Sequence, residues 1–188
     1  MIWDMMMAIF EKANSNFLEI EANDGIHLGV SERSLCGSLM LHLRKALDET
    51  AYGNYYVDIE YNRNEGGKLK TIVNGSETTV AITCDLIVHS RGKIVSQDNL
   101  IAIEMKRSTH PQGEKDKDRI RLSCLTRDSY DNIWSYDGKT LPEHVCRYIL
   151  GVYYELDSRN RRANIEYYTK GKIARCVEIA YPIGGDTA

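Results

Sequence analysis

The sequence predicts an α/β fold in which a β-sheet is covered by helices, and three observations carry that expectation. Two near-continuous apolar runs, VAITCDLIVHS from Val80 and LIAIEMKRS from Leu100, are joined by turn residues at Arg91-Gly92-Lys93 and Gln97-Asp98-Asn99. Strands that are apolar on both faces belong to the centre of a covered sheet. Leucines at 35, 39, 43 and 47 recur at intervals of four, the spacing of a buried helical stripe. The stretch RYILGVYYEL, residues 147–156, reads as a further interior strand.

The remaining elements follow in order. MIWDMMMAIFEK opens an amphipathic helix with methionines at 5, 6 and 7. It lacks the basic leading segment of a signal sequence, and Asp4 and Glu11 bracket an apolar stretch too short to span a bilayer. NDGIHLGVS ends in Ser31, placed to cap a helix from Glu32 to about Leu47. Tyr55 to Arg63 alternates Val57, Ile59 and Tyr61 with Asp58, Glu60 and Asn62, as a half-buried strand does. A polar stretch with Gly66, Gly67 and Gly75 reads as a loop or loose hairpin, and THPQGEKDKDR at 109–119 as a loop leading into a helix from roughly Asp116 to Arg127. IEYYTKGKIARCVEIA closes the fold as a hairpin turned at Lys170-Gly171-Lys172.

At 188 residues the chain is expected to form one domain, with its core at about 30–156 and the first helix and closing hairpin as additions. A net charge of −3 provides no overall basic field for a polyanion. The five cysteines are scattered, without a C-x-x-C pair or zinc spacing, so each is expected to be a small buried apolar residue in a cytoplasmic chain.

The chemistry concentrates on Asp85 and on Glu104-Met105-Lys106. Alternate residues of a strand share a face, so Glu104 and Lys106 point one way while Ile103 and Met105 enter the opposite apolar layer. Asp85, at the start of the neighbouring strand, can approach them. Charges embedded in runs this apolar are costly without mutual pairing or a metal. Phosphodiester hydrolysis gives the group a purpose: carboxylates hold Mg²⁺, which lowers the pKa of water and offsets charge on the phosphorane. Lys106, read as a lysine whose pKa its surroundings lower, is expected to orient or deprotonate that water or to stabilise the developing charge. Glu32, on the inward side of its helix, is expected to hold a water of the ion's shell.

These residues resemble the PD-(D/E)XK nucleases. The resemblance runs in order through Ser31-Glu32-Arg33-Ser34, VDIEYNR at 57–63, CDLIVHSRG at 84–92, NLIAIEMKRS at 99–108 and DKDRIRLSCLT at 116–126, blocks similar to those of small stand-alone bacterial members. It implies a restriction-endonuclease-like α/β fold, a central mixed β-sheet flanked by helices. It also implies catalytic Glu32, Asp85, Glu104 and Lys106, metal ligation by Asp85 and Glu104, Mg²⁺ with Mn²⁺ as substitute, and DNA rather than RNA as substrate. One departure stands out: Cys84 occupies the position before the first acid, where the family usually has proline.

Other residues have plainer explanations. Asp58 and Glu60 read as the polar side of their strand, and His89 and Arg91 either line the cleft or lie on the surface. His27, His42, His110 and His144 show no ligand spacing, and the twelve tyrosines are expected to pack in the core and at its edges. His110 to Arg121, with Arg159, Arg161 and Arg162, is where phosphate contacts are expected. A homodimer, a larger complex, or a silent nuclease-fold module that binds nucleic acid or a protein partner are the alternatives to an independent nuclease.

Overall fold

The computed structural model describes residues 2–62, 71–73, 79–81, 83–128 and 145–181. The loop expected at Gly66, Gly67 and Gly75, and His144, lie outside them. Helix α1, Ile2–Glu21, buries Met6, Met7, Phe10 and Phe17 while Met5 faces solvent, and a π turn at Ala22–Ile26 extends it. Helix α2, Glu32–Asp48, starts where its cap predicts: Ser31 Oγ accepts a hydrogen bond from the Ser34 N–H at 3.2 Å. Leu35, Leu39, Leu43 and Leu47 are all fully buried.

The described residues form eight strands: β1 (Tyr56–Ile59), β2 (Thr71–Val73), β3 (Thr79–Ala81), β4 (Leu86–His89), β5 (Asn99–Arg107), β6 (Leu150–Asp157), β7 (Arg162–Thr169) and β8 (Lys172–Ala180). Six of them form one sheet in the order β1-β4-β5-β6-β7-β8. It is mixed: β5 and β6 are parallel and every other neighbouring pair is antiparallel. Helices α1 and α2 pack against the face bearing Leu86, Val88, Ile101, Ile103 and Met105. Helix α3, Gln112–Leu125, covers the opposite face, where Leu122 and Leu125 meet Ile87, Ala102 and Tyr153. The expected α/β class, with a mixed sheet between helices, is what the chain adopts.

Several boundaries differ from expectation for identifiable reasons. The first strand ends at Ile59, not Arg63, because Glu60 takes a left-handed backbone with φ 49°. The run from Val80 is two strands: β3 pairs with β2 in a separate two-stranded sheet, and β4 begins after Asp85. Helix α3 begins at Gln112, ahead of the expected Asp116, directly after Pro111. Proline suits a helix start, and the Gln, Glu and Lys that follow are good helix formers. Four cysteines are buried as expected, but Cys176 is exposed on β8.

Gly151 of β6 sits directly under α3, where a Cβ would stand 2.9 Å from Thr126 Cγ2 and 3.0 Å from Tyr168 Cβ. Gly151→Ala should therefore destabilise the fold by about 1–3 kcal/mol, the range for overpacking, as read by denaturant unfolding. An unchanged midpoint would mean that α3 is not seated on β6.

Candidate active site

The four residues expected to act together do converge, at the end of the sheet where β5 terminates. Asp85 ends its approach to β4 with Oδ2 accepting from the Met105 N–H at 2.8 Å, while its carbonyl accepts from the Glu60 N–H at 3.2 Å. This pins the carboxylate beside the Glu104–Lys106 segment. Glu32, first residue of α2, accepts from the Arg107 N–H at 2.8 Å through Oε1, tying the helix start to the end of β5. The Arg107 guanidinium donates to the Val30 carbonyl and holds the same junction.

Lys106 stands at the centre. Its Nζ lies 3.3 Å from Asp118, 3.8 Å from Glu32 and 3.9 Å from Asp85. Burial pulls its pKa down, but the carboxylates of Asp85, Asp118 and Glu32 push it further up, and the net direction is upward. This corrects the expectation of a depressed lysine. Three acids around its ammonium thus favour the protonated form of Lys106.

Glu104 is fully buried and faces α3, where Arg121 Nη1 donates to its Oε1 at 2.5 Å. Its Oε2 is buried with no hydrogen-bond partner among the described residues. Burial first and the Asp85 carboxylate second push its pKa up from 4.5 to about 8, against the pull of Arg121. Asp85 is shifted upward as well, by burial, with Asp118 and Glu32 adding to it and Lys106 opposing.

Asp118 and Arg121, expected only as part of a phosphate-contacting segment, belong to the cluster itself. Buried Lys115, Asp118, Leu122 and Leu125 share the sheet-facing side of α3, so the apolar pair already marked Asp118 as inward. Asp118 meets Lys106 on one side and Arg121, at 3.1 Å, on the other. The charged segment expected to contact phosphate is largely spent on the protein itself. Lys115 pairs with Glu155 at 3.1 Å, Arg119 with Glu166 at 2.8 Å, and Arg121 with Glu104. His110, expected to be a plain surface or core residue, lies 3.3 Å from Glu32 at the rim. Arg159, Arg161 and Arg162 are close to the turn after β6, which ends beside β5 at the same end of the sheet; Arg162 pairs with Glu178 at 2.6 Å.

His89 and Arg91 do not belong to this cleft. His89 closes the other end of β4 and Arg91 lies just beyond it, where Asp58 is 2.9 Å from His89 Nε2 and accepts from Arg91 Nε at 2.8 Å. His89 is buried, so it is no surface residue either. Glu60 pairs with Arg33 at 3.2 Å, outside the cluster.

Among the described residues, no group of three or more His, Cys, Asp or Glu side chains stands in an arrangement that holds a metal ion. The donor chemistry nevertheless fits Mg²⁺, which takes one or two carboxylates and keeps several waters. Asp85 and Glu104 are two neighbouring carboxylates of raised pKa, and one oxygen of Glu104 has no bond to lose. Among the described residues no helix is long and apolar enough to cross a membrane. Comparison with family models, curated proteins and solved structures finds no match to this chain.

The raised pKa of Glu104 has a consequence for stability. Its carboxyl keeps a proton to higher pH in the folded chain than in the unfolded one. The resulting stabilisation is complete below about pH 4.5 and is lost as pH rises through about 8. Thermal melts in chelator between about pH 5 and about pH 8 should show wild-type stability falling more steeply than that of Glu104→Gln, which cannot titrate. Parallel profiles would place the titration on another group.

Proposed function

We propose that this protein is a metal-dependent nuclease of the PD-(D/E)XK type, with a restriction-endonuclease-like fold, that hydrolyses phosphodiester bonds of DNA. The observation that carries the reading is the meeting of three carboxylates from α2, the bend before β4, and α3 around the ammonium of Lys106, two residues from buried Glu104. The segments that carry the resemblance fall on α2, β1, β4, β5 and α3.

When bound at Asp85 and Glu104, a Mg²⁺ or Mn²⁺ supplies Lewis acidity and a water of lowered pKa. The chain's own groups do the rest. Lys106 brings a fixed positive charge to the reacting phosphate and stabilises the negative charge that develops there. Asp118 and Glu32 hold that ammonium in place, and Glu32 Oε2, 3.8 Å from it, is free to position a water. Glu104 carries a proton near neutrality and gives it up to become a ligand, so ion binding should release protons and strengthen toward pH 8.

One observation favours a second reading, a silent module that binds nucleic acid or a partner protein through the same cleft. Lys106 and Arg121 already neutralise part of the carboxylate set, and no ligand group stands assembled among the described residues.

Titration calorimetry should show Mn²⁺ binding that Asp85→Ala abolishes. Lys106→Ala should still fold and bind Mn²⁺ but cleave plasmid or single-stranded DNA on the order of a hundredfold more slowly, the scale of one positioned electrostatic or proton-transfer group. Wild type, cleared of contaminating nuclease, that degrades no DNA or RNA with Mg²⁺ or Mn²⁺ would hand the site to the second reading. A Lys106→Ala variant as fast as wild type would remove the E-x-K triplet from the chemistry.

A further inference from the structure

Two acids of the cluster each bury an oxygen that no described residue bonds. Glu104 is 0% exposed and Asp118 5%, and Glu104 Oε2 and Asp118 Oδ2 both lie out of water without a hydrogen bond. Folded chains leave few such atoms, and one that persists commonly marks where a water or an ion sits. The second oxygen of each acid is held by a single nitrogen. Arg121 Nη1 donates to Glu104 Oε1 at 2.5 Å and stands 3.1 Å from Asp118 Oδ1. One atom in contact with both carboxyl groups sets them side by side, Glu104 from β5 and Asp118 from α3, and leaves one oxygen of each unclaimed by the guanidinium.

Asp85 joins the same group through Lys106. The ammonium is 3.3 Å from Asp118 Oδ2, out of line for a hydrogen bond, and 3.9 Å from Asp85 Oδ2, so these two acids already flank one cation. Asp118 adds to the upward push that burial and Asp85 give the Glu104 pKa, and to the one that burial gives Asp85. The three carboxylates therefore feel one another.

We propose that Asp118 is a third ligand of the divalent ion, its Oδ2 joining Asp85 and Glu104 Oε2 around one cation while Arg121 clamps the outer oxygens of Glu104 and Asp118. The proposal rests on the metal-dependent reading of this site and extends it. The resemblance implies ligands from Asp85 and Glu104 alone, whereas Asp118 comes from the helix that covers the sheet. Charge selects the ion. Apart from His110 at the rim, Glu32, Asp85, Glu104 and Asp118 bring four carboxylates to two cations, Lys106 and Arg121, so the ionised cluster is short of two positive charges. A single divalent ion supplies both, and donors that are all carboxylate oxygens suit Mg²⁺ or Mn²⁺. A carboxylate oxygen has two lone-pair sites, so Oδ2 can serve the ion and still face the Lys106 ammonium.

Mn²⁺ titration calorimetry of the full chain reads ligation without any cleavage. Asp118→Asn keeps the shape of the side chain and its contact with Arg121, and should weaken Mn²⁺ binding about tenfold or more, at least the effect of losing an outer-shell partner. Asp116→Asn removes the same charge from the exposed side of α3, where salt screens it, and should leave the affinity within about twofold. Asp118→Cys supplies a second readout, because a thiolate draws a softer ion than a carboxylate does. In a Cys176→Ser background, which removes the one exposed cysteine, it should bind Cd²⁺ more tightly and show a thiolate-to-cadmium charge-transfer absorption that Cys176→Ser alone lacks. Melting profiles check that each variant is folded, and either variant suffices should the other fail to fold. Asp118→Asn that binds Mn²⁺ as wild type does, or Asp118→Cys without the new absorption, would overturn the proposal and leave Asp85 and Glu104 as the ligands. Wild type that binds no Mn²⁺ would overturn the metal-dependent reading itself, and this proposal with it.

Discussion

Much of the structure turns on the hydrogen bond that Arg121 donates to the buried carboxyl of Glu104 beneath α3. Leu100, Ile101, Ala102, Ile103 and Met105 around Glu104 on β5 are all completely buried. A carboxylate in that setting costs several kcal/mol of desolvation, and apolar replacements of buried ion pairs are often neutral or stabilising. A valine at this position would continue the strand at less cost. Arg121 offsets the burden in part, through a bond to one oxygen, and leaves the other unbonded among the described residues. The pair also fixes α3 in rotation: with Arg121 over Glu104, Asp118 one turn earlier lies against Lys106, and Leu122 and Leu125 enter the core. The arrangement leaves a buried carboxyl oxygen of Glu104 beside Asp85 at the end of β5.

What was legible in the sequence follows from how local the signals are. The Ser31 cap, the leucine stripe of α2 and the alternation that sets Glu104 and Lys106 on one face need no tertiary knowledge, and each appears as expected. Asp85 was legible because a short connection returns β4 onto β5, with Leu86 opposite Ile103. Asp118 and Arg121 were obscured by composition: in GEKDKDRIR, charge hides the one helical face that turns inward. The direction of the Lys106 shift was misjudged for a related reason. An isolated lysine in an apolar strand is expected to lose its proton more readily, but three carboxylates from elements distant in sequence outweigh its burial. The exposure of Cys176 was not visible either, since its segment has the apolar content of a covered strand while standing at the sheet's edge.

The parallel pairing of β5 with β6 decides where the acidic cluster sits. It brings the carboxyl ends of both strands to one end of the sheet, with Arg107 beside Leu156, and the Glu32 end of α2 is tied to that end through the Arg107 amide. The crevice beyond the carboxyl ends of strands is where open α/β sheets collect ligands. The bend at Asp85 supplies the third side. Acids gather there, and a chain of net charge −3 offers a polyanion little general attraction; the turn after β6 brings Arg159 and Arg161 to the same end of the sheet.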